Sequence, residues 1–270
     1  MKTILFCLLA AAGSIAVAEI PFAPTAADAL PPAVLGQAAA LGGTDVAYFE
    51  ANPGALGYLA VPDSPGPHAA VILIHEWNGL VQRVKETADA MAAEGYVALA
   101  VDLYSGRTGN NRDENMALVR ETLASPQTLI DNLEAAVNFL RARADTTGKV
   151  GTVGWCYGGG IALSFALGSD SHDATAIFYG RLLDDPEQMQ HIHHEIYGTF
   201  ARNDQGIPVE QVDAFVAALR NAGIENDVHI YDDVNHGFWL HVDRDPETST
   251  GPALDAWQRL KAYFERTLGD

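Results

Sequence analysis

The chain has 270 residues, of which 48% are hydrophobic, 9% aromatic and 19% charged, a composition that supports a folded core rather than a disordered polymer. Its 16 Lys and Arg residues against 35 Asp and Glu residues give a formal charge of −19, which argues against binding to nucleic acids or anionic membranes. Two cysteines, Cys7 and Cys156, are too few for a disulfide scaffold.

The first 18 residues have the pattern of a secretory signal peptide. Lys2 supplies a positive charge, residues 4–12 are apolar, and residues 16–18 form a small-x-small cleavage site. A membrane anchor is the alternative, but the 16 uncharged residues at 3–18 fall short of the roughly 20 that a spanning helix needs. We therefore expect cleavage after Ala18 and a secreted or periplasmic protein with no stable membrane association.

The next segment, residues 19–43, contains four prolines among Ala and Gly residues and is predicted to be an irregular arm. Two strand-like runs follow, at 44–50 and 55–61, on either side of the turn cluster Asn52-Pro53-Gly54. This pattern predicts a hairpin at the start of the folded domain.

From residue 69 onward, buried strands alternate with helices. The apolar runs at 69–74 and 96–101 are typical of strands buried on both faces. The other predicted elements are helix 83–93, helix 127–143, strand 150–154, helix 161–167, strand 174–179, strand 196–201, helix 209–221, strand 228–231 and helix 253–268. The alternation predicts a single α/β domain over 44–270, with a mostly parallel central sheet flanked by helices and ligands at the carboxyl ends of the strands.

The segment from Gly154 to Gly159 joins a predicted strand to a predicted helix and resembles a nucleophile elbow, with Cys156 where serine is commoner. Gly154 and Gly158 suit the sharp turn, where two backbones meet. The helix N-terminus favours a thiolate and directs the N–H of Tyr157 at an oxyanion. Cys156 is therefore the predicted nucleophile, the alternative being a buried cysteine that only fills space.

A thiol nucleophile needs a base and an orienting carboxylate, in the chain order Cys, Asp, His for this architecture. His236 follows the last predicted strand and is the predicted base. Asp204 follows the preceding strand and is the predicted acid. Asp232 and Asp233 are alternatives, but their positions beside the histidine suit them poorly for orienting it.

The segment HEWNG, at residues 75–79, follows the first buried strand, where α/β hydrolases place the loop that supplies a second oxyanion N–H. We expect this N–H to come from Trp77. Glu76 is predicted to lie near the thiol, where a buried carboxylate can accept a proton or keep Cys156 neutral until substrate displaces it. A surface glutamate that caps the loop is the alternative.

With these motifs the chain resembles the dienelactone hydrolase family of α/β hydrolases. The resemblance rests on HEWNG, GYVALAVDLYSG, GTVGWCYGGG, GTFARNDQGIP and YDDVNHGF in this order, and covers roughly residues 45–268. It implies an α/β-hydrolase fold and hydrolysis of a small-molecule ester or lactone without a metal or organic cofactor. The site residues that it implies are a Cys156, Asp204 and His236 triad, oxyanion amides from Trp77 and Tyr157, and Glu76 linked to thiol activation.

The sequence departs from family members specific for dienelactone, which bind a substrate carboxylate with arginines. Leu240 stands four residues after His236, where such an enzyme has an arginine. Arg107 could be the other arginine, and Arg181 and Arg244 are further arginines whose direction the sequence does not fix. Secretion is a second departure, because such enzymes normally act in the cytoplasm.

Two weaker signals accompany these motifs. Phe238 and Trp239 follow the predicted base and are candidate substrate-binding residues, with packing in the core as the alternative. The run HIHHE at 191–195 looks like a set of metal ligands, but it precedes a predicted strand in which successive side chains face opposite sides, so we predict no metal site.

The sequence thus predicts a secreted cysteine hydrolase that cleaves esters or lactones through a thioester. The alternative is a thiol-based redox or ligand-binding protein on a hydrolase scaffold. Asp204 and His236 favour hydrolysis, because a redox thiol needs no acid to orient a histidine.

Overall fold

The computed structural model describes residues 29–269, so the predicted signal peptide and the first ten residues of the predicted arm lie outside the described part of the chain. The strands are β1 Thr44–Ala47, β2 Leu56–Ala60, β3 His68–Ile74, β4 Val97–Val101, β5 Thr146–Trp155, β6 Ala174–Phe178, β7 Ile196–Ala201 and β8 Asn226–Tyr231. The helices are α1 Gln82–Ala93, α2 Arg112–Leu123, α3 Pro126–Arg141, α4 Tyr157–Gly168, α5 Pro186–Met189, α6 Val209–Asn221 and α7 Pro246–Leu268. No helix within 29–269 is long and apolar enough to cross a membrane.

The eight strands form one sheet in the order β1-β2-β4-β3-β5-β6-β7-β8. β1 and β2 pair antiparallel, as the predicted hairpin requires, and β2 pairs antiparallel with β4. Every pair from β4 to β8 is parallel. The strand order reverses between β3 and β5, and a crevice for ligands forms outside the carboxyl ends of strands at such a point.

Helices cover both faces of the sheet, as alternation of side chains along each strand allows. In β3, Val71 and Leu73 pack in the same core as α1 and α7, whereas Ile72 and Ile74 pack with α3 and α4. α6 extends the second layer over β7. The predicted fold class, a mostly parallel sheet flanked by helices, is confirmed.

The described part of the arm, residues 29–43, contains turns but no helix or regular strand. Val34 is fully buried and packs in the core that α1 and α7 share. Its carbonyl accepts a hydrogen bond from the N–H of Asp243 at 3.4 Å. This segment therefore contributes to the core.

Two helices differ from the prediction. α2 was not predicted, because most of its positions are charged or polar. Its N-terminal signal was present, since Asn111 accepts hydrogen bonds from the N–H groups of Asp113 and Glu114. α7 begins at Pro246, before the predicted start, and continues through Pro252. Pro252 lies in the second turn, where the missing N–H removes only one helical bond.

The HIHHE segment forms no metal site. His191 and His193 are exposed, and Glu195 pairs with Arg266. His194 instead shares a hydrogen-bond partner with His172, since the Nε2 atom of each ring lies 2.8 Å from the Thr175 hydroxyl. Residues 29–269 contain no group of three or more His, Cys, Asp or Glu side chains placed to hold a metal.

We expect the two buried imidazoles to make the protein acid-labile. Burial lowers the pKa of His172 to about 3 and that of His194 to about 4. In the unfolded chain these histidines have pKa values near 6.5. Below about pH 6.5 the unfolded chain therefore binds more protons than the folded one. The free energy of unfolding is thus highest above that pH and decreases as the pH falls.

Urea unfolding at pH 7.5 and 5.5 measures this loss. His172→Gln should show about 1.4 kcal/mol less loss in unfolding free energy between the two pH values than the wild type, the value of one pKa unit. His193→Gln is the control, since His193 is exposed, and should lose as much as the wild type. Equal losses in all three proteins would contradict the prediction.

Candidate active site

Cys156 lies in a sharp turn between β5 and α4, at the switch point of the sheet. Its backbone has φ 56° and ψ −117°, a strained conformation for a residue with a side chain and one that clusters at functional sites. A Cβ on Gly154 would lie 2.1 Å from the Gly158 oxygen, and a Cβ on Gly158 would lie 2.2 Å from the Ile74 oxygen. Both glycines are therefore required by close contact between backbones.

Asp204 and His236 are brought together from the loops after β7 and β8. Nδ1 of His236 donates to Oδ2 of Asp204 over 2.6 Å. The other oxygen, Oδ1, accepts from the N–H of Gly206 at 2.8 Å and that of Ile207 at 3.3 Å, which fixes the carboxylate. Burial alone raises the pKa of Asp204, but the contacts with His236 and the two N–H donors outweigh it and lower the pKa.

His236 also lies beside Cys156, and the two residues line the same two cavities. Burial lowers the pKa of its imidazole. The interactions with Asp204 and Cys156 outweigh this effect and raise the pKa to about 10. The arrangement therefore favours an imidazolium beside the sulfur at neutral pH. Asp232, the competing acid, pairs with Arg202 at the surface instead.

The loop after β3 is fixed by His75, a residue for which the sequence offered no role. Its fully buried ring accepts a hydrogen bond from the N–H of Leu103 at Nε2, over 3.2 Å, so Nδ1 carries the proton and donates to the carbonyl of Glu76 at 2.6 Å. Burial lowers the pKa of His75, which keeps this neutral form. Tyr104 donates its hydroxyl to the carbonyl of Trp77 at 3.1 Å. The peptide groups beside the predicted oxyanion amide are thereby held in place.

Glu76 is buried, 7% exposed, so the alternative of a surface glutamate is wrong. Its Oε2 accepts a hydrogen bond from Nε2 of His241 over 2.7 Å. Glu76 and Cys156 line the same cavity, so Glu76 lies on the thiol side as predicted. Its observed partner, however, is His241, which the sequence did not indicate.

Cys156, Trp77 and His236 lie where two cavities meet. One, of about 510 Å³, is largely apolar and is also lined by Met116, Val119, Leu123, Tyr157, Gly160, Ile161, Leu163, Ser164, Tyr179, Arg181, Leu183, Gly206 and Ile207. The other, of about 310 Å³, is also lined by Gly237 and by four residues with polar or ionisable side chains, Glu76, Asn78, His241 and Arg244, for which we call it the polar cavity. The predicted oxyanion residues Trp77 and Tyr157 therefore both face the space beside the sulfur.

Three predicted substrate-binding residues lie elsewhere. Arg107 forms a two-pronged pair with Glu121, at 2.9 and 2.6 Å, which holds its guanidinium at a separate cavity. Trp239 is fully buried and stacks on Trp155 with ring centroids 5.6 Å apart. Phe238, 4% exposed, packs in the core and lines neither cavity that contains Cys156, although it lines a smaller one with His236. Both aromatic residues therefore pack in the core, which was the alternative to binding substrate.

Two arginines share a cavity with Cys156: Arg181 lines the apolar cavity and Arg244 the polar one. Sequence reasoning also missed the apolar face of α2, formed by Met116, Val119 and Leu123. The signal was their spacing of three and four residues, which places them on one side of a helix.

Comparison with known proteins assigns the family. The model of the dienelactone hydrolase family matches residues 56–268. Protein usf of Aquifex pyrophilus is 32% identical over 218 residues, which cover 78% of this chain and 93% of that protein. A Methylorubrum extorquens protein with the provisional name carboxymethylenebutenolidase is 30% identical over 224 residues, covering 77% of this chain and 76% of its own.

Solved structures share the fold. A dienelactone hydrolase-like promiscuous phosphotriesterase from metagenomic libraries has a TM-score of 0.71 and 20% identity, over 84% of this chain and 98% of that one. Dienelactone hydrolase from Anabaena variabilis has a TM-score of 0.59 and 20% identity, over 84% of this chain and 97% of that one. The predicted enzyme class, a hydrolase acting on ester or lactone bonds, is confirmed at the level of the family. With the family model spanning nearly all of the sheet, the chain belongs to the dienelactone hydrolase family of α/β hydrolases.

Proposed function

We propose that this protein is a cysteine hydrolase that cleaves carboxylic esters or lactones through a thioester. The observation that carries the proposal is the placement of Asp204, His236 and Cys156. Asp204 hydrogen-bonds to His236, and His236 lies beside Cys156 at a strained turn that faces two cavities. A thiol used only for redox chemistry needs no such arrangement. The geometry therefore favours nucleophilic catalysis over the redox alternative.

In the proposed reaction the Cys156 thiolate attacks the carbonyl carbon, and the carbonyl electron pair moves onto oxygen. The amides of Trp77 and Tyr157 donate to this oxyanion. The C–O bond breaks as the His236 imidazolium gives its proton to the leaving oxygen, which leaves an alcohol and a thioester. Water then attacks the thioester while neutral His236 takes its proton, and collapse releases the carboxylic acid and regenerates the thiolate and imidazolium.

Glu76 has a proposed supporting role in thiol activation. A bare carboxylate beside Cys156 would disfavour the thiolate by repulsion. Oε2 of Glu76 is instead engaged in a hydrogen bond from His241. We propose that this contact lets Glu76 remain at the site without suppressing the nucleophile.

Cys156→Ala tests the nucleophile directly. We expect the loss of kcat/KM for a simple aryl ester to be on the order of 10⁴-fold, because the attacking atom is gone. The unfolding transition should stay near that of the wild type, since alanine keeps the backbone and removes one sulfur. Retention of a tenth of the activity would refute the assignment.

Asp204→Asn tests the acid, with Asp232→Asn as its matched control at the surface. Loss of the carboxylate should cost about 10²- to 10⁴-fold in kcat/KM. It should also move the alkaline limb of the pH profile to lower pH, because the wild-type imidazolium persists to a pKa of about 10 only with the help of Asp204. If Asp232→Asn were the more harmful change, the choice of acid would be wrong.

The proposed location is outside the cytoplasm, on the strength of the sequence at residues 1–18. We expect the mature protein to begin at Glu19 and to contain one titratable thiol. Intact mass and thiol titration of protein recovered from the periplasm or medium check both points. A mature chain that keeps residues 1–18 would indicate an anchor.

A further inference from the structure

Resting on the proposed function, we infer the substrate class: esters of apolar, medium-length carboxylic acids with a small polar alcohol. The acyl chain would lie in the apolar cavity between α2 and α4, and the alcohol in the polar cavity beside Arg244. The inference rests on the position of Cys156, which lines both cavities, and on the different side chains that line the rest of each cavity.

The apolar cavity has the size and surface of a chain-binding site. Its volume of about 510 Å³ lies within the usual range for small-molecule pockets, roughly 300–1,000 Å³. Most of its walls are aliphatic or aromatic. Arg181 is its one arginine, and this side chain is exposed at the rim, where the stem can add apolar surface while the charge stays in water.

α2 supplies an apolar face that is half-buried at Met116 and Val119 and exposed at Leu123. Leu123 is 47% exposed, one of three large exposed hydrophobic residues within 29–269, and it lines the cavity with Met116 and Val119. The opposite side of the helix is anchored, because Leu118 packs in the core. Thr122 lies 2.8 Å from the hydroxyl of Tyr157, which follows the nucleophile. An acyl chain attached to Cys156 would cover this face.

The polar cavity is suited to the alcohol. The segment that carries His236 also supplies Gly237, His241 and Arg244 to its wall, and His236 must deliver its proton to the leaving oxygen. The Arg244 side chain is exposed, lines this cavity and pairs with no carboxylate among the described residues. Its guanidinium is available to hydroxyl groups of an alcohol.

A pair of reversed esters tests the direction of binding. 1-Monohexanoylglycerol has an apolar acyl part and a polar alcohol, whereas hexyl glycerate has the two parts exchanged. We expect kcat/KM to be at least tenfold higher for the former. It should also rise about fourfold for each methylene from acetyl to hexanoyl glycerol, the value of about 0.8 kcal/mol per buried methylene.

Two matched variants test the place of binding. Leu123→Asn should lower kcat/KM for the hexanoyl ester at least fourfold more than it lowers kcat/KM for the acetyl ester. Leu56→Asn alters a leucine of similar exposure, 45%, on β2 away from the cavity, and should change neither value. Both sites are exposed, so both variants should fold.

The inference would be overturned by a preference for hexyl glycerate, by a flat response to acyl length, or by an equal effect of Leu123→Asn on both esters. Cys156→Ala separates this failure from that of the proposed function. If acetyl glycerol is hydrolysed and the activity is lost in Cys156→Ala, the cysteine hydrolase stands and only the substrate class fails. If Cys156→Ala stays active, the proposed function fails and the inference fails with it.

Discussion

The site depends on one contact between backbones, where the turn after β5 presses against the end of β3. Gly158 leaves no room for a side chain beside the carbonyl of Ile74, and Gly154 leaves none beside Gly158. This contact places Cys156 next to the loop that carries Glu76 and Trp77. Because β3 and β5 are adjacent and parallel at the centre of the sheet, the surrounding strands hold the contact rigidly. A larger residue at either glycine would displace the turn and move the sulfur away from the amide of Trp77.

The residues whose positions are determined by the course of the backbone could be located from the sequence. A sharp turn needs small residues at fixed offsets, and loops after consecutive parallel strands open at one end of the sheet, so Cys156, Asp204 and His236 could be predicted to converge. The order of buried strands predicted the fold for the same reason. Such features are local, or follow from the connection rules of parallel sheets.

The directions of long side chains could not be predicted in this way. Arg107 lies close to the end of β4 in sequence, yet Glu121 on a helix that was not predicted determines where its guanidinium points. Trp239 lies three residues after His236 but turns inward onto Trp155. The contact between Glu76 and His241 joins segments 165 residues apart. Each outcome depends on a tertiary partner that periodicity does not reveal.

The position of Cys156 between two cavities has a consequence for the order of events in the proposed reaction. An ester bound across the sulfur would be split so that its halves occupy different spaces. The alcohol could then depart through the polar cavity while the acyl chain stays attached, and the hydrolytic water could enter by the route that the alcohol vacated. Acyl transfer to a second alcohol would use the same route, so the chemistry of the polar cavity would set the balance between hydrolysis and transesterification.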